Sequence, residues 1–277
     1  MQQHLRFVFF NVLISVLLLG CANLKEVNDF AAASVKGAQG FETLSYSFRQ
    51  NCLALCEAVD MDSLKLNPVA CNCDLASKAD SVDYLMYKTL AAYLDGLQRL
   101  SADELTTYHT DSLTDQLSAL HVPAAQSDAY AKIGGILSKA VTDGYRRKKI
   151  KQYIQQANGP LKVLIYYLKL NISQNLMQVL KARELGVKSE YFGLLRKTGS
   201  PWEKRQIIQA YYTEKNALDS IAAELTAYGN LLQTIADGHQ KLMEEAGHLN
   251  TTELKNAIGQ YTSNIKDLHT QIQLIRK

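Results

Sequence analysis

The chain is 277 residues long, with 30 Lys and Arg against 27 Asp and Glu, a formal net charge of +3 and 47% hydrophobic residues. Charge this close to balance excludes the basic footprint of a nucleic-acid-binding protein, and the length is enough to bury a substantial core as one domain or two. No phosphate loop, G-x-S-x-G, G-x-G-x-x-G or H-E-x-x-H occurs, so the expectation is a non-enzymatic protein with no cofactor.

In chain order, the first feature is Arg6 ahead of an apolar run, Phe7 to Leu19, broken by Asn11 and Ser15 and followed by Gly20 and Cys21. This is the order of a secretory signal, and the apolar part is short for a helix that spans a bilayer. Leu18-Leu19-Gly20-Cys21 resembles the lipobox of bacterial lipoproteins. Only these residues and the run before them carry the resemblance, so it implies a processing route and no fold. By that route a signal peptide, 1–20, is removed and Cys21 receives a diacylglycerol and an N-acyl chain; two chains anchor a protein stably where one is marginal. Ala22, in place of Asp, implies the outer membrane of a Gram-negative envelope, with the domain facing the periplasm. Loss of Arg6 leaves the mature chain, 21–277, with a net charge of about +2.

A first helical segment spans about 24–59, with Val27, Phe30, Phe41, Leu44, Phe48 and Leu55 in approximate register. It carries Cys52 and Cys56 four residues apart, on one helix face. Asp60 to Pro68 is turn-prone, and Cys71 and Cys73 follow. An even number of cysteines in an exported chain points to disulfides, because the periplasm is oxidising. An antiparallel return nests Cys56 with Cys71 and Cys52 with Cys73, although four cysteines allow three pairings. Zinc binding and thiol redox chemistry are the alternatives. C-x3-C with C-x-C is not the usual C-x2-C pair of a zinc site, and no thioredoxin-like alternation of strands and helices surrounds the motif. Asp60, Asp62, Asp74 and Asp80 lack the alternation of a calcium loop and read as turn and cap residues.

Helical spacing resumes at 78–99 with Val82, Leu85, Leu90, Leu94 and Leu97, after which Ser101 and Glu104 open a shorter helix. Segment 124–157 ends at Asn158-Gly159-Pro160, and a very apolar stretch, 161 to about 183, follows. All four prolines read as punctuation between helices. The basic run Arg146, Arg147, Lys148 and Lys149 reads as a solvated face, with contact to an anionic surface as the functional alternative. The greasy stretches 134–149 and 160–172 could enter a membrane, but helices buried in a bundle are equally apolar on a wide face.

The clearest start signal is Ser200-Pro201 with Glu203 as the capping-box partner. From Tyr211 through Glu214, Leu218, Ile221, Leu225, Tyr228, Leu232, Ile235, His239 and Leu242 the spacing is strictly three-four, a coiled-coil seam with two polar members. Gly247 ends it, Asn250 and Glu253 cap another helix, and Leu254, Ile258, Tyr261, Ile265, Leu268, Ile272 and Ile275 repeat the spacing. His239 on the seam reads as a register-setting residue rather than a metal ligand. The two helices run roughly 69 Å and 39 Å at 1.5 Å per residue, so the N-terminal half of the longer one must pack on upstream helices.

The expected fold is all-α: an elongated up-and-down helical bundle, 22–200 with the cysteine loop at 52–73, ending in a long antiparallel coiled-coil hairpin, 201–277. The expected role is a lipid-anchored scaffold or adaptor of the cell envelope whose long coiled-coil faces, 201–277, bind another envelope protein, with self-association through the same faces as a further outcome. A thiol-redox or metal-binding protein, and a membrane-active helical protein, are the alternatives.

Overall fold

The computed structural model describes residues 24–62, 71–102, 124–142, 146–247 and 252–276, without the side chains at 60–62, 124–126, 141, 142 and 146–148. The helices are α1 (Lys25–Ala38), α2 (Phe48–Asp62), α3 (Asp74–Ser101), α4 (Ala124–Thr142), α5 (Arg146–Leu170), α6 (Met177–Lys197), α7 (Pro201–Glu244) and α8 (Thr252–Ile275). A 3-10 turn at Gln39–Thr43 follows α1, and a π-helical turn at Asn171–Leu176 joins α5 to α6. The protein is an all-α bundle, and no strand occurs among the described residues.

Two helices organise the core. α3 packs on α1, α2, α4 and α5, while α7 packs on α5, α6, α8 and α1. Phe30, Met86, Leu90, Leu94, Ile133, Ile154, Leu161, Leu164, Tyr228, Leu232 and Ile258 are each at most 1% exposed and belong to one continuous apolar cluster. Burying side chains of this size stabilises by roughly 1.5–3 kcal/mol each, before the entropy of ordering them is set against it.

Most positions of the C-terminal spacing are buried, while Tyr211, Glu214, Ile221, Tyr261, Leu268 and Ile275 are only partly so. Ser200 Oγ accepts from Glu203 N at 3.5 Å and Pro201 occupies the first turn of α7. Leu218, Leu225, Tyr228, Leu232, Ile235, His239 and Leu242 are buried, as are Leu254, Ile258, Ile265 and Ile272 of α8. With 44 residues against 24, α7 extends well past its neighbour, and its early part packs on α6. Tyr191 and Tyr211 meet there edge to face at 5.7 Å, and Arg183 pairs with Glu214 at 3.5 Å. Gly238 lets α1 approach α7 closely: a Cβ there would overlap the ring of Phe30 and lie 3.1 Å from Tyr261 Cβ.

Three expected boundaries are corrected. The segment 24–59 is not one helix, because the chain leaves α1 for the 3-10 turn and an extended Leu44 before α2 opens. Donors exposed by that break find distant acceptors: Ser45 N and Oγ donate to Glu224, and Phe48 N and Arg49 N donate to the Asp80 carboxylate at 2.9 and 3.0 Å. Asp80 is a cap, as expected, but for a helix other than its own. Secondly, Pro160 lies inside α5, which runs through Asn158-Gly159-Pro160. One missing N–H is tolerated because Ile154, Ala157, Leu161 and Leu164 hold the helix in the core on both sides of the proline. Thirdly, the helix expected at 78–99 runs to Ser101, whose Oγ donates to Gln98 O at 2.6 Å; the shorter helix expected after it lies outside the described residues. Glu104 and Asn250 lie outside the described residues.

Most of the large aliphatic side chains described in the greasy stretches pack in the core. Ile133, Ile136, Leu137 and Ala140 of α4 and Leu161, Leu164, Ile165 and Leu168 of α5 are buried in the bundle. No helix among the described residues is long and apolar enough to cross a membrane.

Candidate functional site

Cys21 lies outside the described residues, as do the side chains of Arg146, Arg147 and Lys148; Lys149 is exposed at the start of α5. The four remaining cysteines are brought together. Cys52 is paired with Cys73 across a Cα separation of 5.9 Å and Cys56 with Cys71 across 6.3 Å, both within the range a disulfide bridges. This nested arrangement follows from Cys52 and Cys56 sharing a face of α2 while Cys73 immediately precedes α3. The sulfurs of Cys52, Cys56 and Cys73 all lie within 4.8 Å of one another, so the same cluster, if reduced, could offer three thiolates to a soft metal ion. Leu55, Val59 and Leu75 stand exposed beside it, lining an apolar groove.

Polar groups are also buried between the helices. The Tyr93 hydroxyl lies 2.7 Å from His239 Nε2, and His239 Nδ1 lies 3.1 Å from Asn158 Oδ1, while Asn158 Nδ2 donates to Gln240 at 2.7 Å. An amide oxygen only accepts, so Nδ1 carries the imidazole proton and Nε2 accepts from the phenol. Burial pushes the imidazole pKa down to about 3. His239 is therefore a neutral pin linking α7 to α3 and α5. Glu224 of α7, 1% exposed, receives the Arg276 guanidinium and the Ser45 donors, and Arg276 also donates to Thr43 and to Gly40 O.

A cleft of about 660 Å³ opens where α3, the linker after α1 and the π turn converge. The linker contributes Phe41, Leu44, Tyr46 and Ser47; α3 contributes Asp80, Ser81, Asp83, Tyr84 and Leu85; the π turn contributes Ile172 and Leu176. Positions 80, 83, 84 and 87 share a helical face. Tyr87 is buried and stacks on Phe41 at 5.0 Å, and Lys88, paired with Glu42 at 2.9 Å, caps the outer edge over Tyr84 and Tyr87. π turns are frequent at functional sites, because the extra residue redirects side chains. Here Ile172 and Leu176 are buried at the cleft, Asn171 Nδ2 donates to Asp83 Oδ1 at 2.6 Å, and Ser173 passes against Gly229 of α7.

Asp83 is 4% exposed. Desolvation, opposed by the Asn171 hydrogen bond and aided by the charge of Asp80, pushes its carboxyl pKa up to about 7. Carboxyls perturbed by burial in this way cluster at functional sites, which makes Asp83 a candidate group of the cleft. The sequence reading missed it. The available signal was that Asp83 stands in heptad register with Leu90 and Leu97, placing a carboxyl in line with the buried stripe of α3.

Comparison with protein families, with curated proteins and with solved structures returned no match for this chain.

Proposed function

We propose that this chain is a lipid-anchored, non-enzymatic helical adaptor of a bacterial envelope, tethered through Cys21 and docking another envelope protein through the hairpin of α6 and early α7. One observation carries the docking part. Large apolar side chains are exposed along residues 185–212: Leu185, Phe192, Leu194, Trp202 at 69% exposure, Ile208 and Tyr212. Exposed apolar surface of this kind marks an interaction site when it is clustered and rimmed by polar groups. The rim here is basic, with Lys188, Arg196, Lys197, Lys204 and Arg205 outnumbering Glu190 and Glu203, and the Arg196 guanidinium lies 4.5 Å from the centre of the Phe192 ring. Aromatic residues with Arg are the composition of interface hot spots, and the basic rim favours an acidic partner surface. From Leu218 onward the apolar side of α7 faces the core, so the docking surface is the hairpin end rather than the whole length of 201–277.

The test is a photo-crosslinking residue at position 202 in intact cells, with Lys255 of α8 as the control position. Capture of one envelope protein at 202 and not at 255 supports the adaptor reading. Capture of lipid alone, or only of a second copy of the chain, replaces it with membrane contact or self-assembly. Release of the Cys21→Ala variant from membranes tests the anchor separately.

A further inference from the structure

We propose that the cleft between α3, the 39–47 linker and the π turn binds a small organic cation, an ammonium group on an apolar body, with Asp83 as its counter-ion. This rests on observations apart from those for hairpin docking, and it stands or falls alone.

The chemistry follows from what the cleft contains and from what it lacks. At about 660 Å³ it has the size of a small-molecule site. Its walls are aromatic and aliphatic, from Phe41, Tyr84, Leu44, Leu85, Ile172 and Leu176. Among the described residues that line it there is no Lys, Arg or His; Arg183, beside Tyr46, and Lys88, over Tyr84, are already paired with Glu214 and Glu42, and Asp83 itself receives one hydrogen bond, from the neutral amide of Asn171. A carboxylate buried without a cation is costly unless something neutralises it. Asp80 does not relieve it, because it is itself negative and is already engaged by Phe48 N and Arg49 N. An ammonium group supplies the missing charge, while Phe41, stacked on Tyr87, and Tyr84, already covered by Lys88, wall the apolar body of the ligand. Anionic ligands are disfavoured by both carboxylates.

The site is also proton-linked. The titratable groups that face Asp83 from other elements are Tyr130 of α4 and Tyr228 of α7, with Asp80 on its own helix. Both phenols are pushed above their ordinary range by burial, so they stay protonated between pH 6 and 8. Asp83 alone changes charge in that window. A cationic ligand binds the ionised form, so affinity should rise with pH.

The test is calorimetric titration of the purified chain with 4-phenylbutylamine and with the neutral 4-phenylbutan-1-ol, at pH 6 and pH 8. The amine is protonated at both. The expected result is at least about tenfold preference for the amine at pH 8, weakening about tenfold at pH 6 as the carboxyl is protonated. Asp83→Asn, whose fold is checked by circular dichroism, should lose the preference and the pH dependence together. Ser81→Trp, which fills the mouth from an exposed position, should abolish binding while leaving Asp83 intact. Equal affinity for amine and alcohol, no binding of either, or a preference that survives Asp83→Asn would overturn the proposal.

Discussion

The Tyr93 hydroxyl and His239 Nε2, 2.7 Å apart, join α3 to α7 across 146 residues of sequence in a site where both side chains are buried. The imidazole stays neutral in the folded protein and gains a proton readily only on unfolding. Its folded pKa, about 3, lies below the unfolded value of 6.5, so the unfolded chain binds more protons in between. Stability contributed by this site is therefore fully present above pH 6.5 and is lost as pH falls towards 3. Urea unfolding should show His239→Gln losing about 2 kcal/mol less than the parent between pH 6.5 and 5. Equal losses would mean that another group dominates the acid limb.

Asp83 works in the opposite direction. Its folded pKa, about 7, is above that of an unfolded carboxyl, so its contribution is most favourable at low pH and is lost as pH rises through 7. Asp83→Asn should therefore stabilise the protein at pH 8 by at least about 1 kcal/mol, and by less at pH 5. Thermal unfolding of both proteins at the two pH values checks the sign. Because the two groups oppose each other between pH 4 and 6.5, the parent should show a flatter pH profile than either variant.

The Glu224 and Arg276 pair should be strongly asymmetric. Arg276→Met strands a carboxylate that is 1% exposed and frees the 3-10 turn at Thr43 and Gly40. A loss of roughly 3–5 kcal/mol is expected, with most of it restored in the double variant Glu224→Gln, Arg276→Met. Chemical denaturation of the three proteins gives the coupling directly, and additive losses would show that the ion pair is not the unit.

Gly238→Ala should lower stability by roughly 1–3 kcal/mol, because its Cβ meets Phe30 and Tyr261 in a filled core. The same substitution at Gly193, where a Cβ meets nothing within 4 Å, should be neutral or slightly stabilising, since alanine favours helix. Equal effects at the two sites would remove the packing explanation.

For the cysteines, alkylation of the exported protein under denaturing conditions should find no free thiol among Cys52, Cys56, Cys71 and Cys73 until it is reduced. Replacing Cys52 and Cys73 together with Ser should cost about 3 kcal/mol in the chain-entropy account of a loop of this length. Four reactive thiols in the isolated protein, or zinc that co-purifies, would favour the metal alternative.

The helices of the C-terminal third were legible because local rules set them. Ser200, Pro201 and Glu203 mark a start, and unbroken three-four spacing marks the faces that α7 and α8 bury. The cysteine nesting was one of the pairings open to the sequence, and the structure selects it because Cys52 and Cys56 share a face of α2 that Cys71 and Cys73 return along. Tertiary structure decided the rest. Pro160 carries on through a helix because packing on both sides outweighs one missing hydrogen bond. The break after α1 depends on acceptors at Asp80 and Glu224, which sequence distance hides. Asp83 becomes a buried, uncompensated carboxyl only once the linker, the π turn and α3 close around it, because desolvation is a property of the assembled surroundings and not of the residue.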